Sequence, residues 1–355
     1  MKKLSINLII WNGEKYIPYL IDSLKNQTLK DFLVMIVDNG SADKTVELLT
    51  HYFTESGTEY KIISLPENIG FANGHNLAYQ NSETEYVLLL NQDMYLMPDA
   101  LEKLVKFLDS HPEATAVAPR LMKWDFSQVV INKNPASGFT DKIDALGIKI
   151  FRTGRALEYL ANGLVWQENS QDKKIQEIYQ KDFFEVFGIS GTMVIYRLQD
   201  LDKILLVEKN IFDPLYLSYQ EDVDLAFRLH NVGCQSFILL NSVAYHDRGS
   251  AGPESENISA MVKNKTKQSA FVRFHSYKNH LATIYKNEAW QNMLLDWPFI
   301  LCFEVGKVGY LLLTDPKILW QSWTWLWKNR KKLRQTRQTT QQARKVSWKN
   351  IRKWF

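Results

Sequence analysis

The sequence predicts an α/β protein, a mostly parallel sheet followed by a helical extension. Three observations lead there. Short β-branched runs alternate with amphipathic, helix-period segments over the first 120 residues. Polar clusters stand at the ends of those runs, where ligands collect in parallel sheets. From about Phe271 onward the pattern is helical, and eight of the 11 Trp lie at or after Trp290.

Strands are expected over residues 4–10, 33–37, 61–65, 86–90 and 115–118, with helices over 16–26, 43–53, 73–81 and 98–110 between them. Pro98 is placed in the first turn of its helix, where a missing N–H costs nothing. From 123 to 181 the pattern loosens into loops and short strands. A strand over 187–196, a helix over 221–231 and strands over 236–240 and 243–246 follow.

At 355 residues, 45% of them hydrophobic, the chain can bury a large core, which excludes a disordered or fibrous protein. Cys234 and Cys302 are too few for a disulfide framework, so a reducing cytoplasm is expected. Lys2 and Lys3 run straight into a strand-like segment, too short for a signal sequence, and no export signal is expected. Net charge is +4, yet residues 316–355 carry 12 Lys and Arg and no acid, leaving an acidic body with a basic tail. Residues 294–313 are apolar but include Asp296, Glu304 and Lys307, charges that argue against a transmembrane span. Two readings of the extension stay open: helices packed on the body, or a Trp-rich, basic surface for an anionic membrane, which is the favoured one.

Five separated stretches carry a resemblance: Ile9-Ile10-Trp11-Asn12, Val37-Asp38-Asn39-Gly40-Ser41-Ala42-Asp43, Glu67-Asn68-Ile69-Gly70-Phe71-Ala72, Leu90-Asn91-Gln92-Asp93 and Gln220-Glu221-Asp222-Val223-Asp224-Leu225. Tyr245-His246-Asp247 follows. Together they resemble the family-2 glycosyltransferases, in particular their rhamnosyltransferase-like branch. The resemblance implies a Rossmann-like GT-A fold over residues 1–270, with 271–355 as the helical extension. It also implies a dTDP- or UDP-linked sugar donor, rhamnose as a candidate sugar, a saccharide or lipid-linked glycan acceptor, and inversion at the anomeric carbon.

The same residues have a chemical account. Asp38 matches the family's base-recognition residue and offers a carboxylate to the imide N–H of uracil or thymine; an Asx turn is its other reading. Asn12, Asn68 and Gly70 stand in the neighbouring polar loops and are assigned to substrate, with Gly permitting close backbone approach. Asn91-Gln92-Asp93 takes the place of the family's Asp-x-Asp. Asp93 is the expected ligand of Mg²⁺ or Mn²⁺, and Asn91 removes one charge from the usual pair. His246 matches a family histidine that completes the metal shell in some members, although a lone strand-end histidine is also ordinary structure.

Asp222 matches the catalytic base, Glu221 its support, and Gly191 lies in a segment similar to the family's acceptor floor. Acids at a helix N-terminus also serve the macrodipole, which accounts for Asp224. Two rival classes fit the sequence less well. A nucleotidyltransferase needs a basic Gly-rich loop where Trp11-Asn12-Gly13-Glu14 stands, and a nucleic-acid-binding tail sits poorly with the acidic body, so no nucleic-acid partner is expected.

Overall fold

The computed structural model describes residues 2–161, 163–248 and 268–355. Its first half runs β1 (Leu4–Ile10), α1 (Ile17–Lys25), β2 (Phe32–Asp38), α2 (Thr45–Ser56), β3 (Tyr60–Ser64), α3 (Phe71–Gln80) and β4 (Tyr86–Asn91). These strands pair in parallel in the order β3-β2-β1-β4. The chain works outward from β1 to β3 and then returns to the other side of β1. Connections therefore leave β1 and β4 in opposite directions, which opens a crevice beyond their carboxyl ends.

The second half holds β5 (Met94–Leu96), α4 (Ala100–Ser110), β6 (Ala114–Trp124), α5 (Phe126–Asn132), β7 (Phe139–Ala145), β8 (Ile148–Ile150), β9 (Ala156–Glu158), α6 (Lys173–Tyr179), β10 (Phe183–Val186), β11 (Met193–Arg197), α7 (Leu198–Leu201), α8 (Glu221–Asn231) and β12 (Gln235–His246). The sheet continues β4-β11-β6-β12-β10, with β11 antiparallel to both its neighbours and β12 parallel to β6. It is parallel through its first half and mixed beyond. Both faces are covered: along β4, Tyr86, Leu88 and Leu90 enter one core cluster and Val87 and Leu89 the other.

Local differences from the sequence reading have local causes. The strand expected over 187–196 begins only at Met193, because the Ser190-Gly191-Thr192 stretch packs beside Phe71 instead; a Cβ on Gly191 would lie 2.7 Å from that ring. The two strands expected at 236–246 are one, with a register shift between Leu239 and Val243. Pro98 stands in the turn before α4, whose N-cap is Asp99. Strand β5, too short to show a period, was missed; it pairs Met94 with His246 and so brings β12 to the end of β4.

Beyond residue 268 come α9 (Ala270–Asn287), α10 (Trp290–Thr314) and α11 (Pro316–Ala343). Helix α9 is fastened to α8 by buried charge. Lys286 pairs with Asp213 at 2.6 Å and Asp224 at 2.9 Å, and Asp224 also pairs with Arg228 at 3.0 Å and accepts from Asn287 at 2.7 Å. Asp224 is thus a structural acid. The basic segment is not a free tail either: Ile351 is buried among Ile148, Phe187, Val223 and Phe227, and Arg352 pairs with Asp296 at 2.7 Å.

Helix α10, at 25 residues and mean hydropathy 1.3, is long and apolar enough to cross a bilayer by length and composition. The charges that counted against a membrane all turn inward. Asp296, 2% exposed, pairs with Arg152 and Arg352, while Glu304 accepts from His280 at 2.9 Å and Lys307 at 3.1 Å. Its outer face exposes Leu294, Leu295, Trp297, Leu301, Val305 and Leu313 with no charge among them.

Candidate active site

A cavity of about 610 Å³ opens at the β1/β4 crevice, in the size range of sites that hold a cofactor-sized ligand. Asn68, Gly70, Asn91 and Asp93 line it together, as do Trp11, Asn39 and Phe71. Leu217 and Ser218, from the loop before α8, close the other wall. Asn39 was not singled out by the sequence. It is buried, donates to the Gly70 carbonyl at 3.4 Å, and its Oδ1 has no hydrogen-bond partner among the described residues, so it offers an acceptor to a ligand.

Asp38 and Asn12 stand beside this lining rather than in it. Asp38 Oδ1 accepts the Ser41 N–H three residues on at 3.0 Å, one residue farther than an Asx turn reaches, and Asn12 Oδ1 accepts the Ala42 N–H at 2.9 Å. Both side chains knit the loop that carries Asn39. Gly70 has φ +85°, and a Cβ there would lie 2.6 Å from both the side chain and the carbonyl oxygen of Leu217. Gly70→Ala should therefore fold but weaken nucleotide binding about tenfold or more, the consequence of 1–3 kcal/mol of local strain. Calorimetric titration of UDP into the variant checks this.

Asp93 faces His246: its Oδ2 lies 3.4 Å from Nε2, while Asp144 accepts from Nδ1 at 2.9 Å. Burial alone would lower the imidazole, but the hydrogen bonds and charges of Asp144 and Asp93 outweigh it and hold His246 at about 9. Among the described residues no group of three or more His, Cys, Asp or Glu is gathered to hold a metal ion. Asp93 suits a cation that takes its other ligands from a diphosphate and water, whereas His246 joins such a shell only as the neutral imidazole, after giving up the proton that Asp144 and Asp93 hold on it. From Asp144 a chain of ion pairs continues through Arg248, at 3.0 Å, to Glu158 on β9. Glu158 in turn acts on Asp222. No spacing in the sequence announces this link.

Asp222 and Glu221 open α8 after a strained approach. Leu217, Tyr219 and Gln220 all have positive φ, at 64°, 71° and 69°, a conformation costing about 1–3 kcal/mol each. Asn279 of α9, fully buried, holds that loop by donating to the carbonyls of Tyr216, Ser218 and Tyr219 at 3.1, 2.9 and 2.7 Å. Sequence reasoning missed Asn279, which lies far along the chain in a helix without a motif.

Glu221 is 7% exposed and its Oε2 has no hydrogen-bond partner among the described residues. Burial and the Asp222 charge push its carboxyl well above the usual range. Asp222 is half-buried, and burial pushes it up to about 6 against the backbone N–H groups of Val223 and Gly191, which favour the carboxylate. A base must be ionised to act. If Asp222 is that base, kcat/KM should fall as pH drops through about 6 and level off above it; a profile flat down to pH 4.5 would contradict this.

The sheet order and the C-terminal helices define the GT-A class of α/β fold. The chain belongs to glycosyltransferase family 2: residues 5–205, more than half of it, match the family described as "Glycosyl transferase family 2". It is 34% identical over 299 residues to a Staphylococcus epidermidis "Teichoic acid poly(glycerol phosphate) polymerase", covering 79% of this chain and 41% of that protein. It is 35% identical over 261 residues to a Pasteurella multocida "Hyaluronan synthase", covering 62% of this chain and 26% of that protein. The chain thus spans less than half the length of these relatives. A solved structure, "GalNAc-T7 with UDP, GalNAc and Mn2+", shares the fold with a TM-score of 0.56 at 10% identity, over 81% of this chain and 48% of that one.

Proposed function

We propose that the protein transfers a sugar from a uridine or thymidine diphosphate donor to a saccharide hydroxyl in cell-surface polysaccharide synthesis, inverting the anomeric carbon. The observation that carries this reading is the switch-point cavity ending at Asp93, walled on its far side by the loop that delivers Asp222. The nucleotide enters with its base toward Trp11 and Asn39 and its diphosphate toward Asp93. Asp38 acts on the base through the loop it shapes, or directly by its carboxylate.

The acceptor oxygen bonds to the anomeric carbon as the bond from that carbon to the diphosphate oxygen breaks, and Asp222 takes the hydroxyl proton. Burial disfavours a second negative charge on Glu221 beside it. Asp93 would hold a divalent cation, with His246 as a second ligand once its imidazole has lost its proton, and the cation would supply charge neutralisation for the departing diphosphate. With Asn91 in place of a carboxylate, the protein contributes one negative charge to that cation, and Asn91→Asp should tighten its binding.

The teichoic acid polymerase and hyaluronan synthase among the relatives point to polymer synthesis, and the resemblance to the rhamnosyltransferase-like branch points to rhamnose. Thermal shift tests the pyrimidine base common to both donors, since a ligand at about 100 times its Kd stabilises by about 2.7 kcal/mol. UDP-N-acetylhexosamines and dTDP-rhamnose, tested with Mn²⁺, should raise Tm where ADP and GDP do not. Equal shifts from purine and pyrimidine nucleotides would contradict the assignment of the base. We further place the enzyme in the cytoplasm, docked on the inner membrane face through α10, where a lipid-linked glycan would meet it.

A further inference from the structure

Residues 213–220 lead into α8, and α9 holds them along most of their length. Lys286 pairs with Asp213 at 2.6 Å, Lys278 donates to the Leu215 carbonyl at 3.2 Å, and the Tyr216 and Thr283 hydroxyls share a hydrogen bond at 2.7 Å. Asn279 then donates to the carbonyls of Tyr216, Ser218 and Tyr219. Its Oδ1 accepts from Lys278, which fixes the orientation of the amide: the oxygen faces the ammonium and both N–H groups face the loop.

The loop thus has two anchors. Leu217, which walls the donor cavity, is held from α3, its carbonyl accepting the Ala72 N–H at 3.0 Å. Ser218 and Tyr219 are held from α9. The Tyr216 carbonyl has two further partners, the Ser218 N–H at 2.7 Å and His275 Nδ1 at 3.2 Å, so a loss of Asn279 falls hardest on Ser218 and Tyr219. Tyr219 and Gln220, at φ 71° and 69°, are the last residues before the carboxyl pair, and a side chain other than glycine keeps that conformation only under constraint. Lys286 and Asn287 still tie α9 to Asp213 and Asp224 without Asn279, so α8 and α9 should stay docked in its absence.

We propose that Asn279 is a positioning residue for the transfer step: it keeps the 218–220 turn left-handed and so sets the reach of Asp222 toward the acceptor hydroxyl. The inference rests on the glycosyltransferase reading. It assigns part of the machinery to the C-terminal extension, since α9 and the loop it braces both lie beyond residues 5–205, the span that matches the family. Asn279 does not line the donor cavity, and the donor side of the loop has its own anchor on α3. Loss of the brace should therefore move the base and leave the nucleotide where it is. A misplacement of about 1 Å at a reacting group can cost about 10²-fold in rate.

The test compares the full wild-type chain with Asn279→Ala and with Asn279→Asp, which keeps the size of the side chain but has no N–H to donate. Two quantities are measured on each. One is the calorimetric Kd of UDP; the other is kcat for nucleotide release from UDP-N-acetylglucosamine or dTDP-rhamnose, whichever gives the larger thermal shift, with water as the acceptor. Both variants should lose about 10–100-fold in kcat and change UDP affinity by less than about threefold. In a Gln220→Gly background the Asn279→Ala substitution should cost at least about threefold less, because glycine takes the left-handed conformation unaided. A structural role alone would lower Tm and leave the kcat of the folded protein unchanged, so wild-type kcat in either folded variant overturns the proposal. UDP affinity falling as far as kcat, or an equal cost of Asn279→Ala in both backgrounds, also overturns it. Neither UDP binding nor turnover by the wild-type protein would overturn the glycosyltransferase reading itself, and this proposal with it.

Discussion

Asp222→Asn should lower glycosyl transfer by on the order of 10²–10⁴-fold while leaving nucleotide affinity unchanged, the usual contribution of a positioned general base. The amide keeps the size of the carboxyl and can still accept the Val223 N–H that Asp222 accepts at 2.8 Å, so α8 should form as before. Only the capacity to take a proton is lost. Glu221 should not substitute for it, because Glu221 is more deeply buried. Released UDP, measured with and without acceptor, checks the prediction, and near-wild-type turnover in a folded variant would remove Asp222 from the chemistry.

The second large effect is expected at the membrane. Leu294, Leu301 and Val305 lie on one stripe of α10 and are 62%, 50% and 62% exposed. Each contributes about 1.5 kcal/mol on transfer out of water, so replacing all three with Ser should weaken vesicle binding by roughly 10³-fold. Being exposed, the three sites should cost little in stability. Lys328, Lys331, Lys332 and Arg334 are exposed on α11 and should add a component that favours anionic lipid and fades with salt. Co-sedimentation with anionic and neutral vesicles reads both components. Undiminished binding of the triple variant would mean that α10 is not the docking face.

The fold was legible where burial is one-sided or total. Leu4–Ile10 and Tyr86–Asn91 are runs that only a central strand explains, and the polar residues after them mark the crevice. Asn68, Gly70, Asn91 and Asp93 could be found because each sits at the end or start of an element whose type is evident. Contacts made across the sheet or between distant helices were not legible. Asn279 reaches back across some sixty residues to brace the approach to Asp222, and Arg248 bridges Asp144 to Glu158 with no motif to announce it. The direction of the charges in α10 was not legible for a related reason: composition counts Asp296, Glu304 and Lys307, but only packing shows that they face inward.

The most direct test of the account is one calorimetric titration, UDP with Mn²⁺ into wild-type protein, Asp222→Asn and Asp93→Ala. The division of the site into a diphosphate end and a base predicts equal affinity for the first two. Asp93→Ala should bind at least tenfold more weakly, through the loss of its charge toward the cation and diphosphate. Loss of UDP binding in Asp222→Asn to the same degree as in Asp93→Ala, or no binding by the wild-type protein, would contradict it.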